Sequence, residues 1–390
     1  MKHDPSLAAA ARLAGIEPFH VMEVQNRALA LEAQGRRIIH MEIGQPDLGA
    51  PPQVIEAAVR AIRERPLGYT SALGIPELRQ AISRFYRERY GVDVPAERIA
   101  ITAGGSGALL LLLAALVNRG DEWLMPDPCY PCNRNFVHLL GGRARSVPVD
   151  ARQYYQLSEA DVRREWNGPV RGVMLASPSN PTGTTVPTRE LRGIIDFVRS
   201  NHGFVVVDEI YHGLTYGEPV PTSLEFGDDI FVVNSFSKYF SMTGWRLGWL
   251  VAPERHMRNI EKLAQNAFIC ASAPAQHAAL AAFLPETLAV LEERRAEFQR
   301  RRDFMVPALR ALGFSVPVMP QGAFYIYAGC ERLTADSSEF TLRLLEEAGV
   351  AITPGLDFGT NRPEQYVRIA YTRSMPELEE GVERIAKLVG

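Results

Sequence analysis

The stretch Phe204-Val-Val-Val-Asp208 is apolar over four residues and ends in a carboxylate. From about residue 50, similar short apolar runs alternate with helical patterns, at residues 99–102, 172–176, 230–233 and 247–251. Strands that are apolar throughout and separated by helices are typical of a mainly parallel sheet covered on both faces. The sequence therefore predicts an α/β domain built around such a sheet.

Polar residues directly follow several of these predicted strands. They lie at residues 104–106, 177–180, 208–209 and 235–238. In open α/β sheets, ligands bind beyond the carboxyl ends of the strands. We therefore expect these four segments to converge on one crevice.

The pattern of the chain changes near residue 286. Residues 286–310 predict a long charged helix, residues 323–327 and 366–370 predict half-buried strands, and residues 338–348 and 376–389 predict further helices. We expect a large domain at residues 46–285 and a small α+β domain at residues 286–390. An N-terminal segment, residues 1–45, is expected to pack with the small domain or across the cleft.

Composition excludes several classes of partner. A formal net charge of −3 and a pI near 6.3 give no reason to expect nucleic acid or an anionic membrane. The N-terminus is a poor secretory signal, and four cysteines in 390 residues do not suggest a disulfide scaffold. The single C-x-x-C pair, Cys129 and Cys132, is weak evidence for zinc, so we expect no metal and a cytoplasmic location.

Lys238 is the first candidate for chemistry. It ends the sequence Ser-Phe-Ser-Lys at residues 235–238, and the sequence around it contains tryptophans and Arg246 but no acid. Burial near cations lowers the pKa of a lysine, which makes the amine nucleophilic. Ser235, Ser237 and Arg246 could donate hydrogen bonds to a phosphate.

Asp208 is the second candidate. A carboxylate at the end of a buried strand is costly without a cationic partner, and a pyridinium nitrogen would be such a partner. Tyr211, three residues on, could reach a phenolic oxygen on the same ring. The alternative is that Asp208 caps the next helix.

Three further segments are weak signals on their own. The glycine-rich residues 104–108 open a leucine-rich helix and could hold an anion, although they fit neither the dinucleotide nor the P-loop pattern. Tyr130 offers an aromatic face, and Asn180, held extended before a proline, could point into the crevice. Together with Lys238 and Asp208, these residues meet the requirements of pyridoxal 5′-phosphate (PLP).

The ordered set of motifs resembles the class I/II aminotransferases, the aspartate aminotransferase-like branch of the fold-type I PLP enzymes. The matching positions run in family order from about residue 20 onwards: residues 44–47, 69–70, 74, 78–79, 104–108, 180–183, 208–211, 235–238, 246 and 368. The resemblance implies a large domain with a mainly parallel, seven-stranded-type sheet between helices, plus a small α+β domain. It also implies a homodimer with active sites at the interface.

The resemblance assigns a role to each candidate residue. Lys238 would hold PLP as a Schiff base and carry the proton, Asp208 would bind the pyridine nitrogen, and Asn180 and Tyr211 would bind the phenolic oxygen. Tyr130 would stack on the ring. The phosphate would be bound by Gly105, Ser106, Ser235, Ser237, Arg246 and, from the other subunit, Tyr69. Arg368 would pair with the substrate α-carboxylate beside the Gly44 backbone and Asn180.

The substrate is inferred from what the chain lacks. Some aspartate-specific relatives have a lysine at the position of Ser106, where this chain has a neutral side chain. The segment 268–274 is also largely apolar here. We expect a neutral L-amino donor (alanine, apolar or aromatic), a 2-oxo acid acceptor such as 2-oxoglutarate, and a ping-pong mechanism. The alternatives on the same fold are an aspartate aminotransferase, a PLP-dependent C–S lyase, an enzyme like aminocyclopropanecarboxylate synthase, or a PLP-sensing regulator.

Overall fold

The computed structural model describes residues 10–390. The first nine residues, which open the predicted N-terminal segment and form most of the N-terminus assessed as a secretory signal, lie outside the described residues. The strands are β1 Ile39–His40, β2 Ile99–Thr102, β3 Glu122–Asp127, β4 Arg143–Pro148, β5 Val170–Ala176, β6 Phe204–Asp208, β7 Phe231–Ser235, β8 Gly248–Val251, β9 Tyr325–Gly329, β10 Val350–Ala351, β11 Thr353–Pro354 and β12 Tyr366–Ala370.

The α-helices alternate with most of these strands. They are α1 His20–Glu32, α2 Pro52–Glu64, α3 Pro76–Tyr90, α4 Gly104–Leu116, α5 Pro131–Leu139, α6 Glu159–Glu165, α7 Thr188–Ser200, α8 Glu254–Ala267, α9 Ala273–Ala279, α10 Pro285–Ala311, α11 Ser337–Arg343 and α12 Met375–Val389. Among residues 10–390, no helix has both the length and the apolar character needed to cross a membrane.

Seven strands form the large sheet, in the order β2-β8-β7-β6-β5-β3-β4. The pairs from β7 through β6, β5 and β3 to β4 are parallel, whereas β8 runs antiparallel to both of its neighbours. The predicted α/β class with a mainly parallel sheet is confirmed.

Both faces of the large sheet are buried, which explains its apolar strands. On β6, Val205 and Val207 belong to one hydrophobic cluster and Val206 belongs to the other. Side chains along a strand alternate between faces, so a strand with helices on both sides needs apolar residues at every position. Helix α4 packs on one face, against β7 and β8.

A smaller antiparallel sheet, in the order β11-β12-β9, is built from the C-terminal part of the chain. The described part of the N-terminal segment lies against this region. Strand β1 pairs in parallel with β10, and Leu31 of α1 joins a small cluster with Leu345 and Ala351. These contacts bring the start of α1 to the edge of the large sheet where its parallel strands end.

Candidate active site

A cavity of about 280 Å³ lies at the carboxyl edge of the large sheet. Strand β5 ends at Ala176 and β6 ends at Asp208, both on the cavity wall, and the turn after β7 brings Lys238 to it. The crevice expected from the polar segments after the strands is therefore present. Eleven of the thirteen predicted site residues line it: Gly44, Gly105, Ser106, Tyr130, Asn180, Asp208, Tyr211, Ser237, Lys238, Arg246 and Arg368.

The other two predicted residues, Ser235 and Tyr69, do not line the cavity. Ser235 is buried beneath the turn, where its hydroxyl accepts from the Ser237 amide at 3.1 Å and donates to the Leu247 carbonyl at 3.1 Å. It thus holds the turn that carries Ser237 and Lys238. Tyr69 is 83% exposed on the surface of the chain, away from this cavity.

Lys238 lies among cations and aromatic rings. Its Nζ donates to the Gly44 carbonyl at 2.6 Å, and no carboxylate of the described residues pairs with it. Burial, together with the charges of Arg368 and Arg246, lowers the pKa of Lys238 to about 8, although Asp208 opposes the shift. At neutral pH an amine with this pKa is about one-tenth unprotonated, a far larger fraction than for an ordinary lysine, and the unprotonated form is the nucleophile.

Asp208 is 5% exposed and its carboxylate accepts one hydrogen bond, from the Ile210 amide at 3.0 Å. Burial raises the pKa of Asp208 to about 7, and the neighbouring charge of Glu209 adds to the shift. The helix-cap alternative is not what the structure has, because no α-helix begins at Asp208. A buried carboxylate with so few partners would be stabilised by a protonated ring nitrogen, which supplies both a hydrogen-bond donor and a positive charge.

The start of α4 is built to hold an anion. The residue before it, Ala103, gives no side-chain cap, so the first N–H groups of the helix remain available. Gly104 has φ +76°, and a Cβ there would lie 2.5 Å from Nη2 of Arg246. Glycine therefore lets the guanidinium approach the helix N-terminus, where Gly105 and Ser106 line the cavity.

The direction of β8 explains how Arg246 reaches this place. Because β8 is antiparallel to its neighbours, its first residue, Gly248, lies at the edge where the parallel strands end. Arg246, two residues earlier, has the left-handed φ of 53° and donates from Nη1 to the Thr243 carbonyl at 2.9 Å. No carboxylate of the described residues pairs with it.

Arg368 is a buried guanidinium whose charge is not paired with a carboxylate in the described chain. It is 4% exposed, and it donates to the Asn180 side-chain oxygen at 3.0 Å, to the Glu42 carbonyl and to Thr353 Oγ1 at 3.2 Å. Its Nε has no hydrogen-bond partner. A carboxylate in the cavity would supply both the missing acceptor and the missing charge.

Asn180, Tyr211 and Tyr325 form a polar patch beside Lys238. Because the Asn180 oxygen accepts from Arg368, its amide NH₂ is left to donate to another group. The Tyr211 hydroxyl donates to the Tyr325 hydroxyl at 3.0 Å. The Tyr325 hydroxyl also lies where a Cβ on Gly44 would be, 1.6 Å away, so only glycine fits at position 44.

Sequence reasoning missed several lining residues. Tyr325 was assigned only to a half-buried strand, and its pairing with Tyr211, 114 residues away, leaves no local signal. The beginning of α1 contributes Phe19, Val21 and Met22 to the wall. Next to it, the loop after β11 contributes Asp357 and Phe358.

The C-x-x-C pair lies near the cavity as free thiols. Burial raises the pKa of both Cys129 and Cys132 to about 11, the opposite of what a reactive thiolate needs. Among residues 10–390, no three His, Cys, Asp or Glu side chains are grouped to hold a metal ion.

Comparisons with known proteins agree with this geometry. The sequence profile of the family "Aminotransferase class I and II" matches residues 36–385. A valine–pyruvate aminotransferase of Mycobacterium tuberculosis is 40% identical over 95% of this chain and 96% of that protein.

Two solved structures are also similar over nearly all of both chains. A crystal structure of an aminotransferase from Mycobacterium tuberculosis has a TM-score of 0.95 at 38% identity, covering 98% of this chain and 99% of that one. The aspartate aminotransferase of Thermus thermophilus with maleate has a TM-score of 0.93 at 30% identity, with the same coverage. The chain therefore belongs to the class I and II aminotransferases.

Proposed function

We propose that this aminotransferase uses PLP held on Lys238 to move an amino group from a neutral L-amino acid to a 2-oxo acid. The observation that carries the proposal is the set of cations on the cavity wall. Within residues 10–390 there are three, Lys238, Arg246 and Arg368. One fits the cofactor aldehyde, one its phosphate and one the substrate α-carboxylate, so this chain's own wall offers no further cation for a second substrate carboxylate.

Enzymes of this family use PLP, and the residues of the cavity fit that group. We assign the pyridine nitrogen to Asp208, the phosphate to Gly105, Ser106, Ser237 and Arg246, and the ring face to Tyr130. The free amide NH₂ of Asn180 and the Tyr211 hydroxyl are assigned to the phenolic oxygen. Ser235 would support the phosphate site through Ser237. When bound, PLP supplies an electron sink for the electron pair released at the substrate Cα.

Side chains of this chain orient the substrate and transfer the proton. Arg368 orients the donor through its α-carboxylate, with the Gly44 backbone beside it, and thereby presents the Cα–H bond to Lys238. Once the donor's own amine has taken its place on the cofactor, the freed Lys238 Nζ would take the proton from the substrate Cα, a role that fits an amine whose pKa is about 8. Because the donor must leave before the acceptor enters the same cavity, the kinetics would be ping-pong.

The character of the wall supports a neutral donor. Val21, Met22, Leu109 and Phe358 are apolar lining residues of this cavity. The Mycobacterium tuberculosis relative is named for valine and pyruvate, both with a single carboxylate. The Thermus thermophilus neighbour is named an aspartate aminotransferase, so aspartate is the donor to test against.

We propose a homodimer in which Tyr69 acts in the site of the other subunit. Tyr69 is 83% exposed in the single chain, and it lies in the loop before α3. Gln276 orders this loop by accepting from the Ile75 amide at 2.8 Å and donating to Thr70 Oγ1 at 3.1 Å. An exposed aromatic residue on an ordered loop is suited to reach a neighbouring subunit.

We also propose that each subunit divides into a large domain, residues 46–285, and a small domain, residues 286–390, with the N-terminal segment on the small one. The separate sheets and the pairing of β1 with β10 support this division.

A panel of donors and acceptors tests the function. Purified holoenzyme would be given alanine, valine, leucine, phenylalanine and aspartate, each with 2-oxoglutarate and with pyruvate or another oxo acid that differs from the donor's own product. We expect neutral donors to be preferred and double-reciprocal plots to be parallel. A clear preference for aspartate, or pyruvate and ammonia formed from cystathionine without an added oxo acid, would contradict the proposal.

A further inference from the structure

The part of the cavity wall that the start of α1 forms depends on a residue far away in the sequence. Phe19, Val21 and Met22, at the start of α1, line the cavity. The residue before the helix, Phe19, provides no side-chain cap. The first N–H groups of α1 therefore need a partner from another part of the chain.

Asp357 is that partner. Its two carboxylate oxygens accept from the His20 amide at 2.9 Å and from the Val21 amide at 3.1 Å. The side chain is 3% exposed and itself lines the cavity. A carboxylate that accepts two backbone N–H groups at the positive end of a 13-residue helix is well placed both as an acceptor and as a charge.

The loop that carries Asp357 is fixed in turn by the segment around Tyr130. Arg134 Nη2 donates to the Asp357 carbonyl at 2.8 Å, and the Cys129 amide donates to the Phe358 carbonyl at 2.8 Å. Asp357 thus ties the start of α1 to a loop that is bonded to the segment around Tyr130. The Phe19 and Tyr130 rings, with centroids 6.1 Å apart, complete this connection.

We propose that Asp357 is a positioning residue that sets donor selectivity by holding α1 as the apolar wall of the cavity. The inference rests on the proposed function, since it names how a neutral side chain is selected. A donor with a long apolar side chain would contact the wall, whereas the methyl group of alanine would be too short to depend on it.

The test compares L-leucine with L-alanine as donors for four variants of the holoenzyme. Asp357→Ala should raise the KM for leucine about tenfold and leave KM and kcat for alanine within about twofold. Asp357→Asn, which keeps one acceptor oxygen, should lie between this variant and wild type. Met22→Ala, which trims the wall without touching the cap, should also weaken leucine selectively.

Asp336→Ala is the matched control. Asp336 caps α11 by accepting from the Ser338 amide at 2.7 Å, and it does not line the cavity. Removing this cap should leave the ratio of leucine to alanine activity unchanged. If Asp357→Ala is not recovered folded, Asp357→Asn carries the same comparison.

Amide hydrogen exchange gives a readout that is independent of turnover. Exchange at the start of α1 should be faster in Asp357→Ala and unchanged in Met22→Ala. An unaltered leucine-to-alanine ratio in both Asp357 variants, or unaltered exchange in α1, would overturn the inference. If wild-type enzyme rejects neutral donors, the proposed function fails, and the exchange experiment still decides whether Asp357 holds α1.

Discussion

Burial and hydrogen bonding act in opposite directions on the pKa of Asp208, and burial dominates. In the protein without its cofactor the pKa of this carboxyl is about 7, against an ordinary value of 3.8. The unfolded chain therefore loses this proton at lower pH than the folded chain does. As pH rises from about 4 to about 7, this difference in pKa progressively lowers the free energy of unfolding. Above that range the destabilisation is complete.

Asp208→Asn should accordingly change stability and activity in opposite directions. Without PLP, the variant should melt at a higher temperature than wild type at pH 8, and the gain should vanish near pH 4. Transamination should fall about 100-fold or more, because the amide cannot balance a protonated pyridine nitrogen. Calorimetry of both proteins at the two pH values, with steady-state rates, checks both parts. A variant less stable than wild type at pH 8 would contradict the burial argument.

Lys238 should react with PLP in a pH range set by its lowered pKa. The amine loses its proton through a pKa of about 8, instead of the ordinary 10.5, so the reactive fraction rises across that pH. The rate at which PLP loads into apo-protein, followed by absorbance after rapid mixing, should increase up to about pH 8 to 9 and then level off. A rate that continues to rise to pH 10 would indicate an unperturbed lysine.

Arg368→Lys should weaken donor binding more than it slows the chemical step. A lysine keeps the charge but cannot form the bidentate pair, nor hold Asn180 and the Glu42 carbonyl at the same time. We expect the KM for the preferred donor to rise about 10- to 100-fold, which corresponds to the loss of one charged hydrogen bond. Initial-rate kinetics separate KM from kcat. An unchanged KM would mean that the carboxylate binds elsewhere.

At the scale of the element, the first turn of α4 depends on one glycine. Gly104→Ala should destabilise the protein by about 1–3 kcal/mol, since alanine is strained at a positive φ and its methyl group would meet Arg246. PLP affinity should fall as well. Gly107→Ala in the same turn is the control, because its Cβ would make only an ordinary contact with Ala103. This second variant should be neutral or up to about 1 kcal/mol more stable.

Strands were predictable where burial makes the sequence uniform. β2, β5, β6, β7 and β8 were all expected within two residues of their observed bounds. β3 and β4 were not, for physical reasons. β3 contains Pro126 and charged ends, and β4 is the edge strand of its sheet, with three of its six residues exposed and two arginines among the six. A proline and an exposed edge both break the apolar pattern on which the prediction depends.

At the scale of the whole molecule, the sequence predicted the site residues at the strand ends. It did not predict the site residues that come from distant parts of the chain. Lys238, Asp208 and Asn180 lie at or just after the ends of strands in one sheet, so their meeting is a consequence of topology. The hydrogen bond between His20 and Asp357 joins residues 337 apart in the sequence. No local pattern encodes such a pair, which is why the α1 wall was missed.

The proposed dimer makes a prediction about mixed subunits. Consider a heterodimer of one Lys238→Ala chain and one Tyr69→Phe chain. If Tyr69 acts in the neighbouring site, the site that keeps Lys238 receives the wild-type Tyr69 of the other chain, so this site has both wild-type residues. After the two variants are unfolded and refolded together, activity at limiting PLP should exceed half that of Tyr69→Phe alone. Activity equal to that half would place Tyr69 in its own subunit's site or in none, and sedimentation would report whether dimers form.

The attachment of PLP to Lys238 is the central claim, and the chain is well suited to a direct test. It has four lysines, Lys2, Lys238, Lys262 and Lys387, and Lys262 and Lys387 are exposed. Protein incubated with PLP would be reduced with borohydride, digested and analysed by mass spectrometry. We predict a phosphopyridoxyl group on Lys238 and its loss in Lys238→Ala. Labelling mainly at another lysine, or equal labelling of the Lys238→Ala variant, would contradict the account.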